Sequence, residues 1–502
     1  MNRPELHVSL VSHTNVGKTT LARTLLRRDV GEVFDQAHVT DLAEAHVLIR
    51  TGDGVSLTLW DTPGFGDSFR IWKRLRQADN ALVGFLTSLW DRFTDRPFWC
   101  SQQAILNVRD HAEVVLYLAN AAEDPDEAAY IRPEIEILQW LRKPVLVLLN
   151  QTGPPRDRDT EAAEVERWRR HFEGFAAGSE VIVFDAFARC WVQEENLWAR
   201  IRDLLPTERR PFMQECLEHA RGENLARYHA AMRGLAKALS EIALDREPLE
   251  QSLAEKFLGP LSDNFREPQR RAMATLGERM VRVLTGALSE IIRLHELDGE
   301  AARIIEERFE DDFAVKQPVN SGIAGTIGGF LSGALTGLAA DLAAGGLTFG
   351  GGALVGGLLG VTGGVLAAES VNFVRGERTA FVSWSPRFLS GILRSTILRY
   401  LAVAHFGRGR GQWTESEHPR FWKETVEAST HGLNAEVESV LKNLRKGNDA
   451  AAMEVLLTNA TGMTLSRIYP DVYTGLKLTE SAEPSDPAPS CSSQGLLSEK
   501  AE

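Results

Sequence analysis

An apolar run of strand length, Leu6–Val11, leads directly into Ser12-His13-Thr14-Asn15-Val16-Gly17-Lys18-Thr19, and Leu21-Ala22-Arg23-Thr24-Leu25-Leu26 then reads as a helix. A strand, a tight loop and a helix in that order make a phosphate cradle, and they constrain the start of the chain to an α/β P-loop domain with a mostly parallel sheet. Backbone N–H groups at the helix N-terminus bind phosphate oxygens, Lys18 reaches the β and γ phosphates, and the Thr19 hydroxyl is placed to ligate Mg²⁺. The expected nucleotide contacts here are Asn15, Val16, Gly17, Lys18, Thr19 and Thr20. Ser12 stands where the motif has its first glycine; the expectation is a turn made at some conformational cost and a slightly altered loop.

A second strand, Val55–Trp60, ends in Asp61-Thr62-Pro63-Gly64. An acid at the end of a strand beside the cradle is placed to hold Mg²⁺ through water, and the Gly64 amide to sense the γ-phosphate. Thr40, in the polar segment between the two elements, is the candidate switch threonine that closes on the metal. A solvated loop threonine fits that position too. The metal set is therefore Thr19, Thr40 and Asp61.

With both elements in place, the chain resembles the Era-like (TRAFAC-class) GTPases. More narrowly, it looks like a bacterial family that joins such a domain to an uncharacterised glycine-rich helical domain. The resemblance implies GTP and GDP as ligands, Mg²⁺ as cofactor and hydrolysis of GTP to GDP and phosphate. It also places base recognition after the strand Val145–Leu149, where Asn150-Gln151-Thr152-Gly153 occupies the place of N-K-x-D. Asn150 matches. Gln151 replaces the lysine that packs over the base, and Gly153 replaces the acid that pairs with guanine N1 and N2, so guanine against adenine stays open. Asp185-Ala186-Phe187 sits in the place of S-A-K, and only Ala186 fits.

Phe65 follows Gly64 where Ras-like enzymes carry a water-orienting glutamine, and a phenyl ring cannot polarise water. Asn15 matches an Era-like position that binds K⁺, which supplies charge where an arginine finger acts; an asparagine that caps the loop is the alternative. The expected catalytic set is Lys18, Asn15, Thr40 and Gly64, in a slow GTPase stimulated by K⁺ and by pairing of G domains. His13 reads as a loop-packing residue. The long aromatic segment from Phe65 to about Asp110, with Trp72, Trp90 and Trp99, reads as a helical excursion packed on the G domain.

The other unusual feature is a nearly uncharged stretch between Lys316 and Glu369, with Asp341 its only charge. Gly325, Gly329, Gly333 and Gly337 recur every four residues, as do Gly352, Gly356, Gly360 and Gly364. On a helix that spacing makes one side-chain-free stripe, the small-xxx-small face of packed membrane helices. Ser321 to Ala340 is about 30 Å of helix, the thickness of a bilayer core. Two readings follow: a glycine-zipper hairpin over 321–368 that associates with the inner membrane, or a glycine-packed hairpin inside a helical bundle. The arginines between Asn372 and Gly411, interleaved with Phe381, Trp384, Phe388 and Tyr400, fit an anionic membrane surface.

Composition supplies the exclusions. Lys and Arg total 56 against 69 acids, a net charge of −13, which argues against a nucleic-acid partner. The four cysteines have no metal-ligand spacing and there is no apolar leader after a basic start, so a cytoplasmic protein without a disulfide scaffold is expected. The expected divisions are a G domain over 1–206, helical regions over 207–316 and 371–478 flanking the apolar hairpin 317–370, and a disordered Ser/Pro/Glu-rich tail over 479–502. The functional readings are a membrane-associated regulatory GTPase, a nucleotide-binding switch or scaffold with little turnover, and a membrane-remodelling or channel-like protein gated by the G domain. A membrane lipid or membrane protein and a second G domain are the expected partners besides the nucleotide.

Overall fold

The computed structural model describes residues 4–27, 43–77, 95–152, 158–175, 180–186, 190–248, 263–297, 381–406, 420–446 and 451–470. Thr40, Trp90, Gly153, Phe187, the hairpin 317–370 and the tail 479–502 lie outside these residues.

A six-stranded sheet with order β2-β3-β1-β4-β5-β6 forms the N-terminal part. Its strands are β1 (Glu5–Ser12), β2 (Glu44–Arg50), β3 (Ser56–Asp61), β4 (Val114–Asn120), β5 (Val145–Asn150) and β6 (Glu180–Val183). All neighbours run parallel except the edge pair of β2 and β3. Helices cover both faces of such a sheet, which is why β4 and β5 are near-continuous runs of Val and Leu instead of alternating patterns. One face buries Leu6, Val8, Leu116 and Leu148 against α1 (Lys18–Leu26). The opposite face buries Val115, Tyr117 and Val147 beneath α3 (Arg96–Asp110) and α4 (Ile131–Trp140), with Trp168 and Phe172 of α5 (Arg158–Phe172).

The excursion after Gly64 is helical where it is described. It comprises α2 (Ser68–Gln77) and α3, with Phe65, Ile71 and Phe98 fully buried and the Arg70 guanidinium 3.9 Å from the Phe98 ring centroid. Asp95 caps α3 by accepting from the Phe98 amide, and a proline in the first turn fits a position that needs no N–H donor.

The helical region follows α6 (Trp191–Leu204). Its longest helix, α7 (Arg210–Leu244), has two buried halves. Met213, Cys216, Leu217 and Ala220 complete the core of the sheet's α1 face. Tyr228, Met232, Leu235 and Leu239 belong to a second core, with α8 (Asp263–Leu294), α9 (Pro386–Ala404), α10 (Arg420–Thr430), α11 (Asn434–Leu444) and α12 (Ala451–Ile468). Cys190, Trp191 and Val192, at the start of α6, pack in that second core as well. The two hydrophobic cores therefore interleave on either side of residue 206. A short antiparallel pair, β7 (Arg246–Pro248) with β8 (Phe381–Ser383), adds strand to a region expected to be all helical.

Three of the four aromatic residues expected to suit a membrane surface belong to the second core, and the fourth, Phe381, is half-buried beneath the Arg246 guanidinium. Trp384 and Tyr400 are buried, and Phe388 packs against the same cluster, stacking on Trp384 at 4.7 Å. Arg399 is buried too. They are enclosed because β8 and α9 close over α7 and α8. Among the described residues, no helix is long and apolar enough to cross a membrane.

Candidate nucleotide site

The site lies at the carboxyl ends of the parallel strands, where open α/β sheets bind ligands. Gly17 caps α1 with a left-handed φ of 96°, and a side chain is excluded there because a Cβ would meet the Asn150 amide nitrogen at 2.7 Å. The other left-handed position of the loop is Asn15, with φ 64°. Asparagine is among the few residues that enter that region at little cost, so the backbone alone accounts for its presence. Ser12 does not need a glycine's freedom: it ends β1, has no positive φ, and its hydroxyl accepts a hydrogen bond from Lys18 Nζ at 3.1 Å. The expected conformational cost is therefore absent, and the serine serves the loop through its side chain.

Lys18, Thr19 and Asp61 converge. Thr19 Oγ1 donates to Asp61 Oδ2 at 2.7 Å, while Asp61 Oδ1 is buried without any hydrogen-bond partner. Burial raises the Asp61 carboxyl above the usual carboxylate range, against the Thr19 hydrogen bond and the Lys18 charge. Burial likewise lowers the Lys18 ammonium, against the pull of Asp61 and Glu134. An orphaned buried carboxylate oxygen costs a few kcal/mol unless something takes it up. Oxygen donors of this kind suit a hard divalent cation such as Mg²⁺.

The Asp61-Thr62-Pro63-Gly64 element is locked to the cradle from behind. The Thr62 hydroxyl donates to the Leu10 carbonyl, and the Phe65 amide donates to the Ser12 carbonyl at 2.9 Å. Gly64 approaches so closely that a Cβ would stand 3.0 Å from Thr14 Cα and 3.1 Å from Lys18 Nζ. Phe65 is wholly buried in the core on the α3 face, so its ring is turned away from the cradle.

At the other end, Asn150 ties three segments together. Its Nδ2 donates to the Val16 carbonyl at 2.6 Å, and its Oδ1 accepts from the Ala186 amide at 2.8 Å. Val16 buries its side chain in the core of the α1 face, and Thr20 is buried in the first turn of α1. Gln151, at φ 58°, reaches the Asn15 carbonyl at 3.5 Å. Asp185 Oδ2 accepts from both the amide and the hydroxyl of Thr152, at 2.8 and 2.9 Å.

Glu134 is a neighbour that sequence reasoning missed. It is fully buried, accepts from Tyr117 at 2.8 Å, and lies 2.8 Å from His13 Nδ1. His13 stacks on Tyr130 at 4.2 Å, in keeping with a loop-packing role. The signal was available, because Ile131, Glu134, Ile135 and Leu138 share one apolar helix stripe and an acid in such a stripe is unusual. The described site thus unites Asn15, Val16, Gly17, Lys18, Thr19, Thr20, Asp61, Gly64, Asn150 and Ala186, and Thr40 lies outside the described residues.

A family model described as a 50S ribosome-binding GTPase matches residues 7–151, and one described as a domain of unknown function (DUF3482) matches residues 179–457. No curated protein matches the chain. Among solved structures, Aquifex aeolicus Era bound to GDP and AlF4⁻ is 18% identical, covering 40% of this chain and 57% of its own, with a TM-score of 0.30. Era in complex with MgGDPNP and nucleotides 1506–1542 of 16S ribosomal RNA is also 18% identical, over 41% of this chain and 58% of that one, at a TM-score of 0.30. A probable GTP-binding protein, engB, is 13% identical, covering 36% and 88%, at 0.21. The chain thus spans a little under three fifths of the length of the two Era chains.

Proposed function

The chain belongs to the DUF3482 family, with an Era-like GTP-binding domain at its N-terminus, and on that footing we propose that it is a Mg²⁺-dependent regulatory GTPase of slow turnover whose helical domain carries the output. The observation that carries the metal dependence is the buried, unpartnered Asp61 Oδ1 beside the Thr19 hydroxyl. Thr19 and Asp61, with Thr40 by sequence position, are the residues to hold Mg²⁺. When bound, the ion offsets negative charge on the nucleotide phosphates. Lys18 binds the β and γ phosphates, the Gly64 amide reads the γ-phosphate, and Asn150 fixes the base loops against the cradle.

Slow turnover follows from Phe65. Its ring is enclosed in the core, so the residue after Gly64 supplies no group that orients water. A switch with little hydrolysis is the neighbouring reading, and the same observation favours it. K⁺ at Asn15 and pairing of G domains belong to the faster reading and are read out by turnover in K⁺ against Na⁺.

The uncharged glycine-striped sequence 321–368 supports association of the helical domain with the inner membrane; with Trp384 and Tyr400 in the core, that segment alone argues for it. One Era relative was solved with ribosomal RNA, but the net charge of −13 supports keeping nucleic acid out of the proposed partners.

Titration of the full chain with GTP and GDP, with Mg²⁺ and with EDTA, tests the nucleotide reading. We expect Mg²⁺-dependent GTP binding that Lys18→Ala reduces by at least about 100-fold, a loss on the scale of a charge-assisted phosphate contact. Binding that survives Lys18→Ala unchanged overturns it. Flotation with anionic liposomes tests the membrane element, and no binding in either nucleotide state removes it.

A further inference from the structure

Helix α3 turns Phe98, Ile105 and Val108 into the core of its face of the sheet, and within that apolar stripe sits Ser101, wholly buried. A buried hydroxyl on such a face needs partners. It finds them outside its own helix: the backbone amides of Gly66 and Asp67 donate to Ser101 Oγ at 3.0 and 3.3 Å. We propose that Ser101 is a positioning residue for the γ-phosphate contact. By holding the chain just after Phe65, it sets the Gly64 amide against the cradle before a nucleotide arrives. The inference deepens the reading of Gly64 as the γ-phosphate contact and rests on it.

Each of the three amides after Gly64 has a fixed acceptor. The Phe65 amide goes to the Ser12 carbonyl of β1 at 2.9 Å, and the next two go to Ser101 of α3. The segment is therefore gripped from two sides, by the strand that leads into the cradle and by the helix that ends the long aromatic excursion. The start of α2 is tied at the same place. Asp67 Oδ1 accepts from the Arg70 amide at 3.3 Å, and the Arg70 guanidinium reaches Asp95, the cap of α3, at 2.5 Å. Gly64 stands at the gripped end, where an added Cβ would lie 3.1 Å from Lys18 Nζ. Its own amide makes no hydrogen bond among the described residues, so it is the donor of this run left to a ligand.

A serine hydroxyl accepts through two lone pairs, and two amides occupy both. Alanine at position 101 supplies neither, and the Gly66 and Asp67 amides, on half-buried residues, then turn to water. The segment keeps its grip on β1 and loses its grip on α3. Ordering it falls to the γ-phosphate, and an interaction that the protein no longer prepares in advance is weakened by that cost. A diphosphate lacks the group that Gly64 contacts and escapes the cost.

The test is titration of the full chain in Mg²⁺ with GDP and with a non-hydrolysable GTP analogue. Ser101→Ala should weaken the analogue by about 10-fold, the scale of one lost hydrogen-bond contribution, and leave GDP within about 3-fold. Asn107→Ala is the comparator: it breaks the contact of α3 with the Ser9 hydroxyl at 2.8 Å, away from the Gly64 segment, and should leave the ratio of the two affinities within about 3-fold of wild type. Hydrogen exchange of the Gly66 and Asp67 amides should quicken in Ser101→Ala alone. Equal losses of GDP and analogue in Ser101→Ala, or no loss of either, overturn the inference, as does a shift of the ratio in Asn107→Ala as large as that in Ser101→Ala. Those results leave the nucleotide reading standing, whereas failure of the wild-type chain to bind either nucleotide overturns the proposed function and this inference with it.

Discussion

Behind the phosphate cradle, Glu134 is enclosed with His13, Tyr117 and the nearby Lys18 ammonium. Burial raises its carboxyl above the ordinary glutamate value of 4.5, and the hydrogen bond and charge of His13, then Tyr117 and Lys18, only partly offset that. A folded-state pKa above the unfolded one contributes stability that is full below the unfolded value and is lost as pH rises through the folded value. Asp61 acts in the same direction for the same leading reason, burial. The nucleotide-free chain should therefore lose stability as pH climbs above about 4.5, and Glu134→Gln should lessen that loss. The expected readout is a melting temperature that falls less between about pH 5 and about pH 8 in the variant, by about 2–4 °C for each kcal/mol recovered. A variant that melts lower than wild type at pH 8 would mean that the charged Glu134–Lys18 pair is net stabilising. Lys18, Thr19 and Asp61 were legible in the sequence because a P-loop and an acid ending a strand are local patterns. Glu134 was not, because enclosure by His13 and Tyr117 joins residues more than a hundred positions apart in one case and on different elements in both. Ser12 was misjudged for a related reason: which loop positions turn left-handed depends on the closed loop, and those positions are Asn15 and Gly17.

At the scale of elements, the alternation of short Val/Leu runs and helices gave away the sheet, since a strand covered on both faces advertises itself by continuous apolarity. The way α7 is shared was less accessible. Amphipathic spacing shows that Met213, Cys216 and Leu217 face inward, but not that they close the G-domain core while Tyr228 and Met232 close another. Between those halves lies Gly222, exposed in mid-helix, where an added Cβ meets nothing within 4 Å. Gly222→Ala should thus raise stability by about 1 kcal/mol through helix propensity alone, visible as a small upward shift in melting temperature. Gly222→Pro removes a backbone hydrogen bond and clashes with the preceding turn, at about 3 kcal/mol or more. If α7 is what makes the two cores unfold together, calorimetry of the proline variant should resolve two transitions where the parent shows one. A single transition in both proteins would assign the cooperativity to the α6 contacts instead.

For the whole molecule, nucleotide state matters only if the helical domain feels it, and the junction offers a specific route. Arg27 ends α1 in a left-handed conformation, φ 54°, just before the segment that contains Thr40. Its Nη2 reaches both Glu194 oxygens at 3.2 Å and Asn224 Oδ1 at 2.8 Å, joining α1 to α6 and α7. Arg227 shares the same Asn224 oxygen and pairs with Glu296 beyond α8, and the Trp191 indole donates to Tyr400 of α9 at 3.2 Å. A change of nucleotide state that reaches Arg27 along α1 acts first on a part-buried polar contact that belongs to both domains. Such coupling requires that the two nucleotide states differ in what they ask of that contact. Hydrogen exchange of the full chain with GDP and with a non-hydrolysable GTP analogue should then show different protection within 191–204 and 224–244. Arg27→Ala should erase that difference while nucleotide affinity stays within about 3-fold, because Arg27 lies at the far end of α1 from the phosphates and its loss removes the link without removing a ligand contact. Identical protection of the helical domain in the two wild-type nucleotide states would mean that the Arg27 cluster is a static brace, and that any output passes through the outer surface of α2, where Phe69 is 62% exposed.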